Sequence, residues 1–257
     1  MDTTSYEHDI NDLAGELRDL DRLVERLTAD QWNAPTRCDG WDIADVMLHL
    51  AQTNEMAVAS SNGLLAEWIA ASPAPSRPFE SVDDAAAVRV GDERGAAPEV
   101  LADRWRASCA AMLESFRAGD PSHRCDWVAG TLARRTLVTT RLAESWIHHG
   151  DVAEAVGLEQ RSTARLRTIA RLAWRTIPYS FERAGRSLAG PVALVLDGVD
   201  GTEWRFEPSD PAETTIRGTA EDWCAVAARR IAPASTGLRG TGPDVDAVLA
   251  LARTYAI

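Results

Sequence analysis

Apolar residues at Ile10, Leu13, Leu17, Leu20, Val24 and Leu27 recur in steps of three and four, which predicts an amphipathic helix early in the chain. "TADQWNAPTRCDGW" breaks that rhythm with Pro35 and Gly40 and reads as a loop. A second helix is predicted from Trp41–Asp42 through "DIADVMLHLAQTNEMAVAS", with the Asp42 carboxylate in its first turn, where it complements the helix dipole. Residues 72–98 mix Pro, Ala, Ser, Gly and charge ("SPAPSRPFE", "GDERGAAP") and read as a long loop with room for one helical turn, able to lie over a site. A third helix follows over about 98–118, with Val100, Leu101, Trp105, Met112 and Phe116 as its apolar positions. "GDPSHRCDWVAG" is another loop, and a fourth helix is predicted over about 131–156. Four long helices with two longer connections predict a four-helix bundle.

A fifth helix is predicted over about 162–184, and after Gly190 the texture changes. "PVALVLDG", "EWRFEP" and "TTIRGT" are short β-type runs separated by turn signals such as Asp197-Gly198 and Asp200-Gly201. An amphipathic helix over about 219–231, the "TGLRGTG" segment and a last helix from about 243 complete the chain. The fold class read from this order is α+β: a helical domain over 1–160, a connecting helix over 161–189, and a small α+β domain over 190–257.

Composition narrows the chemistry. The 257 residues are 45% apolar and 26% charged, as in ordinary globular proteins, and no run reaches the roughly 18–20 apolar residues of a membrane span. The acidic start "MDTTSYEHDINDLAGEL" has no basic segment leading into an apolar one, so the expected location is the cytoplasm. A net charge of −12 argues against a phosphate-backbone partner. All 27 basic residues are Arg, which excludes Schiff-base chemistry through an internal lysine. Cys38, Cys109, Cys125 and Cys224 are scattered, so neither a disulfide framework nor a cysteine-rich zinc site is expected, and Cys38 reads as a buried inert thiol. The partners implied are small molecules, with no nucleic acid and no membrane, acting on a monomer or homodimer.

The fourth helix holds the unusual chemistry, "TRLAESWIHHGDVAEAVG". Glu144 and His148 are four residues apart, so on a helix they differ by ~40° in azimuth and one turn in height and reach a common point. His149 is turned a further ~100° and faces elsewhere. On the second helix, His49 lies beside Val46 and Leu50 on the core-facing side. Alone it reads as a satisfied core histidine; together with an inward Glu/His pair on a facing helix it completes a site of the kind built inside helical bundles. Two imidazoles and one carboxylate leave a coordination position open, as catalytic zinc sites do. Asp45, one turn before His49, and Asp151, three after His148, are each placed either to orient a ligand imidazole or to lie on a solvated helix face.

"LTADQWNAPTRCDGWDIADVMLHLA" resembles the opening motif of the mycothiol-dependent maleylpyruvate isomerase family, and "RLAESWIHHGDVAEAVG" resembles its second motif. The resemblance implies a DinB-like helical bundle binding a divalent metal, usually zinc, followed by a small sterol-carrier-like α+β domain. Its metal ligands fall on His49, Glu144 and His148. It also implies a basic residue from the C-terminal domain near the active site, for which "AARRIAPASTGLRGTG" offers Arg229, Arg230 and Arg239.

The function implied is attack of a metal-held mycothiol thiolate on a small electrophile, giving cis–trans isomerisation or S-transfer, with arginine clamping a substrate carboxylate. Trp41, Trp127 and Trp146 are placed either to line the pocket or to pack in the core, and Trp32 to anchor a loop. Arg141, one turn before Glu144, is placed to hold Glu144 or a substrate or cofactor group, or else to form a surface ion pair. Two other functions share the ligand set: a metal-dependent hydrolase with water in the open position, and a non-catalytic metal-binding DinB-like protein.

Overall fold

The structure, a computed structural model, describes residues 3–128 and 130–255. The chain divides into two compact units, the first running through Gln160 and the second from Arg161 to Tyr255.

The first unit is built on four long helices. α1 (Thr3–Val24) is followed by the Pro35/Gly40 loop and by α2 (Ile43–Ser61). Asp42 is the N-cap of α2 rather than a residue of its first turn. Its side chain accepts the Asp45 N–H at 2.9 Å and the Asp45 carboxylate accepts the Asp42 N–H, a reciprocal capping box. Two short helices follow, α3 (Leu65–Ala71) and α4 (Val82–Glu93), before α5 (Pro98–Ala118). α4 corrects the expectation of a loop over 72–98. Ser81 caps it by accepting the Asp84 N–H, Asp83 and Asp84 occupy its first turn, and Val88 and Val90 are buried.

The segment expected as a loop after α5 forms a two-stranded hairpin, β1 (Arg124–Trp127) with β2 (Gly130–Ala133), in antiparallel register from Arg124↔Ala133 to Trp127↔Gly130. α6 (Arg134–Ala155) therefore starts three residues later than its periodicity predicts. α1 and α2 each pack on both α5 and α6, so the four long helices close around one core. Ile10, Leu13, Leu20, Met47, Leu50, Trp105, Met112, Phe116 and Leu142 fill it, each no more than 1% exposed.

In the second unit the expected fifth helix is broken. α7 (Leu166–Arg175) and α8 (Ile177–Arg183) are separated at Thr176, and Pro178, which has no N–H to continue the ladder, sits in the first turn of α8. A four-stranded sheet of order β4-β3-β5-β6 follows. β3 (Val192–Asp197) pairs antiparallel with β4 (Glu203–Phe206) and parallel with β5 (Thr214–Thr219). β6 (Arg239–Thr241), from the "TGLRGTG" segment, adds antiparallel to β5 as an edge. β3 is buried from Val192 through Leu196, as befits a central strand covered on both faces. α9 (Ala220–Ala227) is shorter than its pattern predicts, because Arg229 turns into the left-handed region at φ 59° and ends it. α10 (Val245–Leu251) closes the unit. The chain is thus α+β. Among the described residues no helix is long and apolar enough to cross a membrane.

The capping box sets where α2 begins and so where His49 sits. Asp42→Ala is expected to lower stability by about 1 kcal/mol, read as a lower urea midpoint with unchanged slope.

Candidate metal centre

His49 is buried on α2, and Glu144 and His148 lie on α6 one turn apart. The structure brings the three together. His49 Nε2 lies 2.8 Å and His148 Nε2 3.4 Å from the same Glu144 oxygen, Oε1. The two imidazoles meet edge to face at 5.1 Å between centroids. One donor atom from each residue falls in a group whose members all lie within 4.8 Å of one another. Tetrahedral ligands about 2.1 Å from a zinc-sized ion stand roughly 3.4 Å apart, so this set suits a divalent cation after small side-chain adjustments.

The electrostatics are those of a charged group with little access to water, the Glu144 side chain being 22% exposed. Burial disfavours ionisation of Glu144, but hydrogen bonds from His148 and His49 outweigh it and hold its carboxyl well below the ordinary range. Burial likewise opposes charge on His148, yet its contacts with Asp151, Cys38 and Glu144 raise it well above 6.5. His49 goes the other way: burial dominates its contact with Glu144 and lowers it. Two imidazoles sharing one carboxylate are thus driven apart, His148 holding a proton and His49 shedding one.

The neighbouring side chains separate into those that support the trio and those that do not. Trp41 lies against His49, with ring centroids 5.1 Å apart, and also lines a cleft of about 560 Å³ with Asn33, Thr36, Asp45, Arg94 and Leu101. Asp151, 1% exposed, lies 2.9 Å from His148 Nδ1 through Oδ2. Asp45 does not serve His49 in this way: Arg94 occupies both its oxygens, at 2.8 Å each. His149 faces α1, where its Nδ1 is 2.6 Å from Glu16 Oε1.

Two residues expected to contact a ligand lie in the first unit as follows. Trp127 sits on β1, in the hairpin whose Asp126 carbonyl accepts a hydrogen bond from Ser60 near the C-terminal end of α2. Ser60 is eleven residues beyond His49, roughly 16 Å along the helix axis. Arg141 does not form a surface ion pair. It is 2% exposed, and its Nη2 donates to Thr53 Oγ1 at 2.9 Å and to Asn54 Oδ1 at 3.1 Å. One turn before Glu144, the bundle has already closed over it. Its burial lowers its pKa against the nearby Glu144 and Cys109.

Arg229, Arg230 and Arg239 all belong to the second unit. There Arg229 donates through Nη2 to the Ala250 carbonyl and Arg230 through Nη1 to the Ala228 carbonyl, while Arg239 is exposed on edge strand β6. Cys38 was missed as a participant: it is half-buried rather than buried, and its Sγ lies 3.4 Å from Asp151 Oδ2.

Comparison with known proteins gives this geometry a family. The profile of the mycothiol maleylpyruvate isomerase N-terminal domain matches residues 13–153. The chain belongs to that family. It is also 33% identical over 250 residues to uncharacterised proteins from two strains of Mycobacterium tuberculosis, covering 96% of this chain and 95% of each relative. Among solved structures it resembles the mycothiol-dependent maleylpyruvate isomerase (TM-score 0.58, 18% identity) and a histidine-to-alanine mutant of it (TM-score 0.59, 17% identity). Each alignment covers 93% of this chain and 95% of the other. At that identity the likeness is one of fold.

His148, held protonated above 6.5, must lose a proton to bind a cation through Nε2. Metal uptake at neutral pH is therefore expected to release a proton, and affinity to fall steadily as pH drops from 8 to 6, by up to ~10-fold per unit for each proton displaced. Chelator-competition titrations across that range measure it. A flat profile would contradict the assigned protonation.

Proposed function

We propose that the chain is a metal-dependent enzyme using a low-molecular-weight thiol, mycothiol, as nucleophile in cis–trans isomerisation or S-transfer on a small electrophilic, carboxylate-bearing substrate. The observation carrying this reading is the convergence of His49, Glu144 and His148 from two helices on one point. Three protein donors would leave a divalent ion able to take an exogenous ligand as well. Membership of the isomerase family supplies the thiol.

In this reading His49 and His148 would offer neutral imidazole nitrogens and Glu144 a carboxylate to a divalent ion, for which Zn2+ suits the donor set. When bound, such an ion holds a thiol as thiolate at neutral pH, where the free group, with a pKa of ~8.5, is only a few per cent ionised. The residues of this chain do the rest. Trp41 backs the His49 ring. The low exposure of His49 and His148, 7% each, limits water at the reacting sulfur. Arginine, with its planar fork, would suit the clamping of a substrate carboxylate. For isomerisation, addition of sulfur to an activated double bond leaves a single bond free to rotate, and elimination returns the thiol unconsumed.

Two measurements test this. His49→Ala and Glu144→Ala are expected to lose metal by more than the roughly 10–100-fold that removal of an outer partner costs; unchanged metal content in both would refute the site. Cobalt-loaded protein is expected to develop a sulfur-to-metal charge-transfer band on adding mycothiol, and to isomerise maleylpyruvate only with the thiol present. Turnover with water alone and no such band would instead establish a hydrolase.

A further inference from the structure

The turn at residues 36–41 meets both helices that carry the candidate ligands. It is braced internally. The Thr36 N–H and hydroxyl both donate to the Trp41 carbonyl at 2.9 Å, the Trp41 N–H donates to the Cys38 carbonyl at 3.0 Å, and the Cys38 N–H donates to Thr36 Oγ1 at 3.2 Å. Gly40, at φ 74°, supplies the left-handed residue that closes it. From this rigid turn the Trp41 indole lies against His49 of α2, and the Cys38 sulfur reaches Asp151 of α6 across 113 residues of sequence.

Asp151 Oδ2 is the shared point: it lies 3.4 Å from Cys38 Sγ and 2.9 Å from His148 Nδ1. Cys38, His148 and Asp151 offer donor atoms all within 4.8 Å of one another. Between a thiol and an ionised carboxylate only the sulfur has a proton to give, so Cys38 donates. A neutral imidazole has one N–H. Where that proton is spent on a carboxylate at Nδ1, the lone pair is left on Nε2, the atom that faces Glu144 and His49.

We propose that Cys38 and Asp151 are positioning residues of the metal centre: the thiol fixes the carboxylate, and the carboxylate fixes the tautomer and ring orientation of His148. The 36–41 turn thereby couples the loop ahead of α2 to a ligand on α6. This rests on the reading of His49, Glu144 and His148 as ligands, and it goes beyond that reading by assigning the residues that make one of them competent.

The test is the zinc affinity of the full-length protein, from competition with a chromophoric chelator, together with the visible spectrum of the cobalt form. Wild type is compared with Asp151→Asn, Cys38→Ala and Cys38→Ser. Asp151→Asn is expected to weaken binding about 10–100-fold. Cys38→Ala is expected to weaken it about fivefold, the worth of one hydrogen bond. Both should shift the cobalt ligand-field bands. Cys38→Ser keeps a donor and is expected to stay within about twofold of wild type, a rescue that simple loss of packing would not show. Cys38→Ala binding as tightly as wild type with the same cobalt spectrum overturns the proposal, as does Cys38→Ser binding as weakly as Cys38→Ala. Wild-type protein that takes up no stoichiometric metal overturns this and the ligand assignment together. Metal uptake that depends on His49 and Glu144 but ignores Cys38 and Asp151 overturns this one alone.

Discussion

A carboxylate only 22% open to water, held between two imidazoles, is the constraint on which the first unit turns. Taking most of the water from a charge such as Glu144 is costly unless donors surround it. Its donors come from two places: His148 one turn along the same helix, and His49 ninety-five residues earlier on α2. The second contact exists only if α2 and α6 are packed in one register. The core of Met47, Leu50, Trp105, Met112 and Leu142, all essentially inaccessible to solvent, supplies that register. The electrostatic arrangement and the apolar packing therefore depend on each other: the helices need the core to meet, and the meeting fixes which helix faces are allowed.

The same arrangement explains how a fold can persist while its sequence drifts. Identity to the solved isomerase structures is 17–18%, yet the alignments cover 93% of this chain. Four helices closing on a core require apolar residues at the right period and little more. The polar requirements are few and local: a cap that starts α2, an i, i+4 pair on α6, and an inward histidine facing it. In the second unit the equivalent constraint is β3, buried along nearly its whole length and bonded on both sides, around which β4 and β5 are placed.

What the sequence discloses follows from the range of the interactions. The long helices show plainly because spacings such as Ile10–Leu13–Leu17–Leu20 repeat over several turns. The pairing of Glu144 with His148 is equally plain, being set by helical geometry alone. α4 is obscured because its Ala-rich interior has only a faint apolar stripe and its flanks are rich in Pro and Ser, although Ser81 three residues before Asp84 is a capping signal. The hairpin of β1 and β2 is obscured by strands of four residues and a turn without the usual Asn-Gly or Asp-Gly pair. The depth of Arg141 is obscured because position on a helix face says nothing of how far the four helices close over it. The place of Trp127 is obscured because an aromatic in a segment read as a loop has no register. The partnerships of Cys38 with Asp151 and Arg94 with Asp45 join distant segments and leave no periodic trace.

His148 and His149 are neighbours in sequence, and their side chains leave α6 about 100° apart. One meets His49 of α2 edge to face, at 5.1 Å between ring centroids; the other lies 2.6 Å from Glu16 of α1, itself only 2% exposed. Adjacent imidazoles thus peg the helix at two azimuths to two different neighbours, like a key seated in two slots of one shaft. α6 cannot roll about its long axis without breaking both. An insertion or deletion of one residue inside α6 should be tolerated far less well than its largely polar composition would lead one to think.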